Sequence, residues 1–198
     1  MKKIIKIMAV VLLNVTFIMQ AHAAGSDWKL DPAHSGIYFE IDHIYAATRG
    51  YFEKFDGKVI FDPDNLDGSS FDFTVEVDSV NTGNSKRDGH LEGNEFFGAR
   101  KFPVMTFKST NVKKVEGDQY VVEGTLTVKD VSKSVSVPFT FFGIKQSPFD
   151  KDSEVAGFEA RLVIDRLEYK VGTGKYYEMG VIGKDVDVLI SFEATRKK

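Results

Sequence analysis

His34, His43 and His90 are the side chains best suited to proton or metal chemistry in the body of this 198-residue chain, which contains no cysteine. With Asp31, Asp88 and Glu92 they supply enough donor types for a metal site. No two of them show the H-x-x-x-H spacing that sets two ligands on one element, so no metal is expected. A nucleophilic triad of Ser35, His90 and Asp88 meets a similar obstacle. There is no G-x-S-x-G elbow, and Asp88 is too near His90 in sequence to orient it without a special turn. No catalytic residue is assigned, and an enzyme is not expected.

Arg87 offers different chemistry. Lys86 to Pro103, KRDGHLEGNEFFGARKFP, is the most polar and helix-like stretch of the chain. Leu91, Glu92, Glu95, Phe96 and Phe97 fall at the spacing of one helical face. A short helix is therefore expected near residues 88–98, with Asp88 as its N-cap and Glu92 in its first turn. A guanidinium beside such an N-terminus suits a phosphate or carboxylate head group, or else an ion pair with an exposed acid.

The elements that must position these residues are strands. Ser35, Ile37, Phe39, Ile41 and His43 alternate with Tyr38, Glu40 and Asp42, the period of a strand with one buried face. The pattern returns in Phe71 to Val77, Tyr120 to Val128, Val135 to Phe141, Phe158 to Ile164 and Val186 to Phe192. Residues 51–61, with Phe52 and Phe55, and residues 104–112, with Phe107, add two less regular strands. Short connections such as Asp62-Pro63-Asp64-Asn65 favour antiparallel neighbours, and no series of amphipathic helices is available to cover the sheet. The prediction is an all-β fold, an antiparallel eight-stranded β-barrel. Residues 165–182 interrupt the pattern and read as a long hairpin loop or lid.

The first 23 residues are a separate matter. Lys2, Lys3 and Lys6 precede an apolar run, and Ala21-His22-Ala23 presents small residues for cleavage between Ala23 and Ala24. The run contains Asn14 and Thr16 and is short for a bilayer span, so residues 1–23 read as an export signal and 24–198 as one domain. Losing those three of the 26 basic residues, against 29 acidic ones, takes the formal charge from −3 to −6. That sign disfavours nucleic acid as a partner. Export without cysteine suits a bacterial periplasm.

The chain has 17 phenylalanines and one tryptophan. An eight-stranded barrel can be filled by such side chains or can hold one small ligand. Gly124, Ala160 and the space beside Gly157 favour room for an apolar guest, although spacing alone leaves both readings open.

Five segments carry a resemblance: WKLDPAHSGIYFEIDH (28–43), GYFEKFDGKVIFDP (50–63), the stretch from Val75 to Thr110 containing RDGHL, FF and FP, GTLTVKDVSKSVSVPFTF (124–141) and VIGKDVDVLISFEA (181–194). In this order they resemble the YceI-like family. The resemblance implies an exported bacterial protein with a lipocalin-like barrel that binds a long apolar isoprenoid, such as a prenyl quinone or polyprenyl phosphate, or a fatty amide. No cofactor is implied besides that lipid.

By the same resemblance, the ligand-lining side chains would be Ile37, Phe39, Ile41, His43, Phe52, Phe55, Phe73, Phe107, Leu126, Phe139 and Phe141, with Leu91, Phe96 and Phe97 packing over the tail. His34, Ser35, Arg87 and His90 would lie nearest the head group. A homodimer is consistent with the family. A lipid-modifying enzyme, or a stress-response interaction protein with a solid core and transient contact with a membrane or respiratory component, are the alternatives. Around residue 165 the family often shows R-x-D-F-G, whereas this chain has Glu168, Tyr169 and Lys170 in the last three places.

Overall fold

A computed structural model describes residues 27–198. The segment 1–23 and the Ala23/Ala24 junction lie outside the described residues.

Ten strands follow in order: β1 (Asp27–His43), β2 (Ala46–Phe52), β3 (Phe55–Ile60), β4 (Ser70–Glu76), β5 (Val80–Asn81), β6 (Val104–Glu116), β7 (Gln119–Val128), β8 (Val131–Gln146), β9 (Ser153–Asp165) and β10 (Ile182–Lys197). All pairings are antiparallel, and β10 returns to β1 from Lys29↔Thr195 to His43↔Ile182. β1 pairs with β3 along Asp27–Lys29 and with β2 along Ile37–His43, so β2 and β3 share one place in the wall. The result is a closed eight-stranded barrel, with β5 a two-residue addition on β2. Closure leaves no long free edge, which suits a sheet with one polar face.

The alternation of β1 changes parity. Trp28 and Leu30 point inward and so do Ile37 and Phe39, an odd separation made possible by the bulge between Asp31 and Gly36. Ser35 holds the bulge, its hydroxyl donating to Asp31 O at 2.5 Å and Glu193 O at 3.4 Å.

One end of the barrel is solid. Phe61, just past β3, is fully enclosed, and its ring lies 4.9 to 6.1 Å from those of Phe141, Phe158, Tyr120, Phe71 and Phe139. Trp28 seals the base and donates from Nε1 to Phe61 O at 2.9 Å. Such tilted and edge-on ring pairs add to the stabilisation from apolar burial.

The short helix forms, displaced toward the N-terminus from the expected 88–98: α1 spans Ser85–Glu92. Its N-cap is Asn84, whose side chain accepts from Arg87 N at 3.1 Å, and not Asp88. Asp88 instead accepts from Thr82 N and Thr82 Oγ1 at 2.9 and 2.5 Å. Residues 93–103 form turns, with Gly98 at φ +65°. In the β9–β10 connection, a 3-10 turn (Arg166–Tyr169) precedes a one-turn helix, α2 (Lys175–Glu178). Lys170, where the family pattern has glycine, adopts φ +57°, the left-handed conformation glycine would take without strain.

Candidate functional site

The other half of the barrel is hollow. A cavity of about 750 Å³ lies above the aromatic floor, within the usual size of small-molecule sites. Phe71, Phe139, Phe158 and Phe192 form its base, and Phe39, Phe73, Phe107, Leu126, Leu162 and Val188 line its walls. Many wall residues are only half-buried although they point inward, because one side of each faces the void.

Two segments roof it. Leu91, within α1, and Phe97, beyond it, pack with Ile37, Phe52, Val75 and Val80. Phe96 packs with Val128, Tyr169 and Val171, and its ring stacks on Tyr176 at 6.2 Å. Lys129 joins the two segments: its ammonium donates to Phe96 O at 2.6 Å and Lys170 O at 2.7 Å. Partial burial lowers the Lys129 pKa from its ordinary value.

Of the side chains named from sequence, Ile37, Phe39, Ile41, His43, Phe52, Phe73, Arg87, His90, Leu91, Phe96, Phe97, Phe107, Leu126 and Phe139 line this cavity. His34, Ser35, Phe55 and Phe141 do not. Phe141 belongs to the solid floor, and Phe55 packs between the floor cluster and the cluster around Phe52. His34 and Ser35 sit on the β1 bulge, which turns them from the lumen. Gly124 does not leave open space, because the Phe107 ring lies where its Cβ would be, at 2.6 Å. Gly157 faces the exposed Phe142. Only Ala160 of these small residues borders the void.

The polar groups have settled partners. Arg87 donates from Nε to Thr82 Oγ1 at 2.7 Å and from Nη2 to Thr82 O at 2.8 Å. His90 Nε2 meets Glu95 Oε2 at 2.8 Å. Ser35, His90 and Asp88 are joined by no hydrogen bond to one another, which leaves the triad unassembled. Of the metal-type donors, His34 Nδ1 pairs with Asp31 Oδ2 at 2.9 Å, and the ligand atoms of these two and Glu193 lie within 4.8 Å of one another, while His90 pairs with Glu95. The hydrogen bond from His34 lowers the Asp31 pKa, and the same bond raises that of His34.

Several lining residues were not singled out as ligand contacts in sequence, among them Phe158, Leu162, Tyr169, Tyr176 and Arg166. Arg166 is 5% exposed, with Nε donating to Gly183 O at 2.8 Å and Nη1 to Val171 O at 2.7 Å. Its Nη2 is buried without a hydrogen-bond partner. Burial lowers its pKa, partly offset by Asp165. The Asp165 carboxylate is itself engaged by Lys184 at 2.8 Å.

The barrel thus has a sealed floor, a hollow upper half and a roof built from two connections. The YceI-like domain matches residues 28–194, nearly the entire described barrel. The chain belongs to the YceI-like family. Protein YceI of Escherichia coli O157:H7 is 34% identical over 194 residues, covering 94% of this chain and 98% of the relative. Among solved structures of YceI-like and similar proteins, BcnA of Burkholderia cenocepacia superposes with a TM-score of 0.72 at 28% identity, covering 85% of this chain and 100% of that one. A polyisoprenoid binding domain from Saccharophagus degradans, implicated in plant cell wall breakdown, shares the fold at a TM-score of 0.62 and 16% identity, covering 84% of this chain and 97% of that one.

Proposed function

We propose that this YceI-like protein is a periplasmic carrier that holds the tail of a long isoprenoid lipid, a prenyl quinone or polyprenyl phosphate, in the hollow half of its barrel. The observation that carries this reading is the apolar cavity of about 750 Å³ between the aromatic floor and the two-part roof. Each methylene buried there contributes about 0.8 kcal/mol, so a chain of several isoprene units is held without a specific polar contact. The polyisoprenoid binding of the Saccharophagus domain supports the same ligand class. The basic and apolar segment at residues 1–23 supports export.

A solid barrel acting only through its surface is at odds with the cavity. Mass spectrometry of an organic extract of the mature protein, purified from a bacterial periplasm, tests the carrier reading. A stoichiometric isoprenoid is the expected result. An extract without lipid, from protein that also fails to take up an added prenyl chain, refutes it.

A further inference from the structure

The roof of the cavity contains a buried guanidinium with one nitrogen that, among the described residues, no protein group meets. Arg166 lines the void, two of its three guanidinium nitrogens are held by the carbonyls of Val171 and Gly183, and the third, Nη2, is buried without a partner. Among the described residues Arg166 forms no ion pair: the adjacent Asp165 turns to Lys184. A buried donor on a charged group carries a desolvation penalty when left unpaired, and buried charges in folded proteins are normally paired. The two carbonyl bonds fix the guanidinium plane, so it is presented as a rigid donor and not as a mobile surface cation.

The surroundings say what would complete it. Tyr169, buried in the same roof, and Phe96, Val171 and Tyr176 provide apolar walls. A buried guanidinium without an ion-pair partner, at one end of an apolar pocket, is complementary to an amphiphile whose single polar end is an oxyanion. The other cationic lining group, Arg87, is exposed and already committed to Thr82.

We infer that Arg166 is the head-group anchor of this cavity: it receives a phosphate or carboxylate beneath the roof, with the apolar tail running down toward the Phe71 and Phe158 floor. The inference rests on the carrier reading and adds to it a head chemistry and an orientation. Gly172, at φ +85°, lies against the guanidinium, where a Cβ would come within 2.4 Å of Nη1. The glycine therefore lets the loop cover Arg166 closely.

The test compares two probes with one tail, geranylgeranyl monophosphate and geranylgeraniol, binding to the mature protein after removal of copurified lipid, with native mass spectrometry as the readout. The wild type is expected to hold the phosphate about tenfold or more tightly than the alcohol, the range of a charge-assisted hydrogen bond. Arg166→Met should remove that preference and change alcohol binding little. Thermal melting runs alongside, since the substitution also removes the bonds to Val171 and Gly183, and wild-type discrimination remains a test even where the variant does not fold. Equal wild-type affinity for both probes overturns the anchor while leaving the carrier reading intact. A preference retained in folded Arg166→Met, or lost in Arg87→Gln instead, overturns it too. Failure of both probes to bind refutes the carrier reading and the anchor with it.

Discussion

Phe61→Ala and Phe107→Ala remove the same atoms from two halves of one barrel, and the structure separates their consequences. Phe61 is fully enclosed, with five aromatic rings within 6.1 Å, so its truncation opens a void that the rigid floor cannot fill. A loss of about 3–5 kcal/mol is expected, or a Tm lowered by about 6–20 °C for a domain of this size. Phe107 has one face against the wall over Gly124 and the other toward the cavity, so truncation enlarges a space that already exists. About 1–2 kcal/mol is expected there, since contacts are lost on one side only. Urea unfolding with an unchanged m-value measures both. In binding the order reverses: Phe107→Ala weakens retention of a prenyl chain, while folded Phe61→Ala retains it. Equal destabilisation by the two substitutions would refute the division into a solid floor and a hollow chamber.

Further predictions concern sites outside the floor. Phe39→Asp should abolish lipid retention, because a carboxylate would enter an apolar wall without a partner, whereas Phe141→Asp should prevent folding altogether; circular dichroism and lipid extraction distinguish the two. Ile44, a β-branched residue held at φ +53° and exposed, should be replaced by glycine with a gain of about 0.5–1 kcal/mol, read as a higher Tm; a loss would mean that the strain is illusory. The bond to Asp31 raises the His34 pKa, so its stabilising contribution is full below the ordinary value of 6.5 and is lost as pH rises through the raised folded-state value. An NMR titration of His34 should show a midpoint above 6.5 that Asp31→Asn lowers, and an unmoved midpoint in the variant would count against the pair.

The barrel was legible because antiparallel strands with one buried face leave a period of two in the residues themselves, as in Phe158, Ala160, Leu162 and Ile164. What the alternation could not reveal is where it slips. Read straight through, β1 places Ser35 on the face of Ile37; the bulge between Asp31 and Gly36 accommodates the change of parity and leaves Ser35 bonding backbone instead. The helix was displaced for a related reason. Asp88 and Asn84 are both good capping residues, and only the position of Thr82 decides that Asp88 is already engaged. Arg166 escaped notice because arginine is rarely buried, and its burial depends on carbonyls that other elements bring to it.

The same principle explains why phenylalanines that look alike in sequence make a floor in one half and a chamber in the other. Phe39 and Phe73 stand directly across the sheet from Gly50 and Gly57, and Phe107 stands diagonally to Gly124. In each case a ring carbon lies 2.5 to 2.6 Å from where the glycine's Cβ would be, so the ring rests flat on the neighbouring strand and leaves the lumen clear. The floor has no such arrangement around Phe61, whose ring comes from beyond β3 and fills the axis, drawing Phe71, Tyr120, Phe139, Phe141 and Phe158 around it. Gly124→Ala would then act on the chamber from behind: the added methyl meets Lys108 O at 2.5 Å and the Phe107 ring at 2.6 Å, so the backbone must shift or the ring must swing into the lumen. The cavity is thus a property of glycine–phenylalanine pairs across strands, which no single strand's pattern contains.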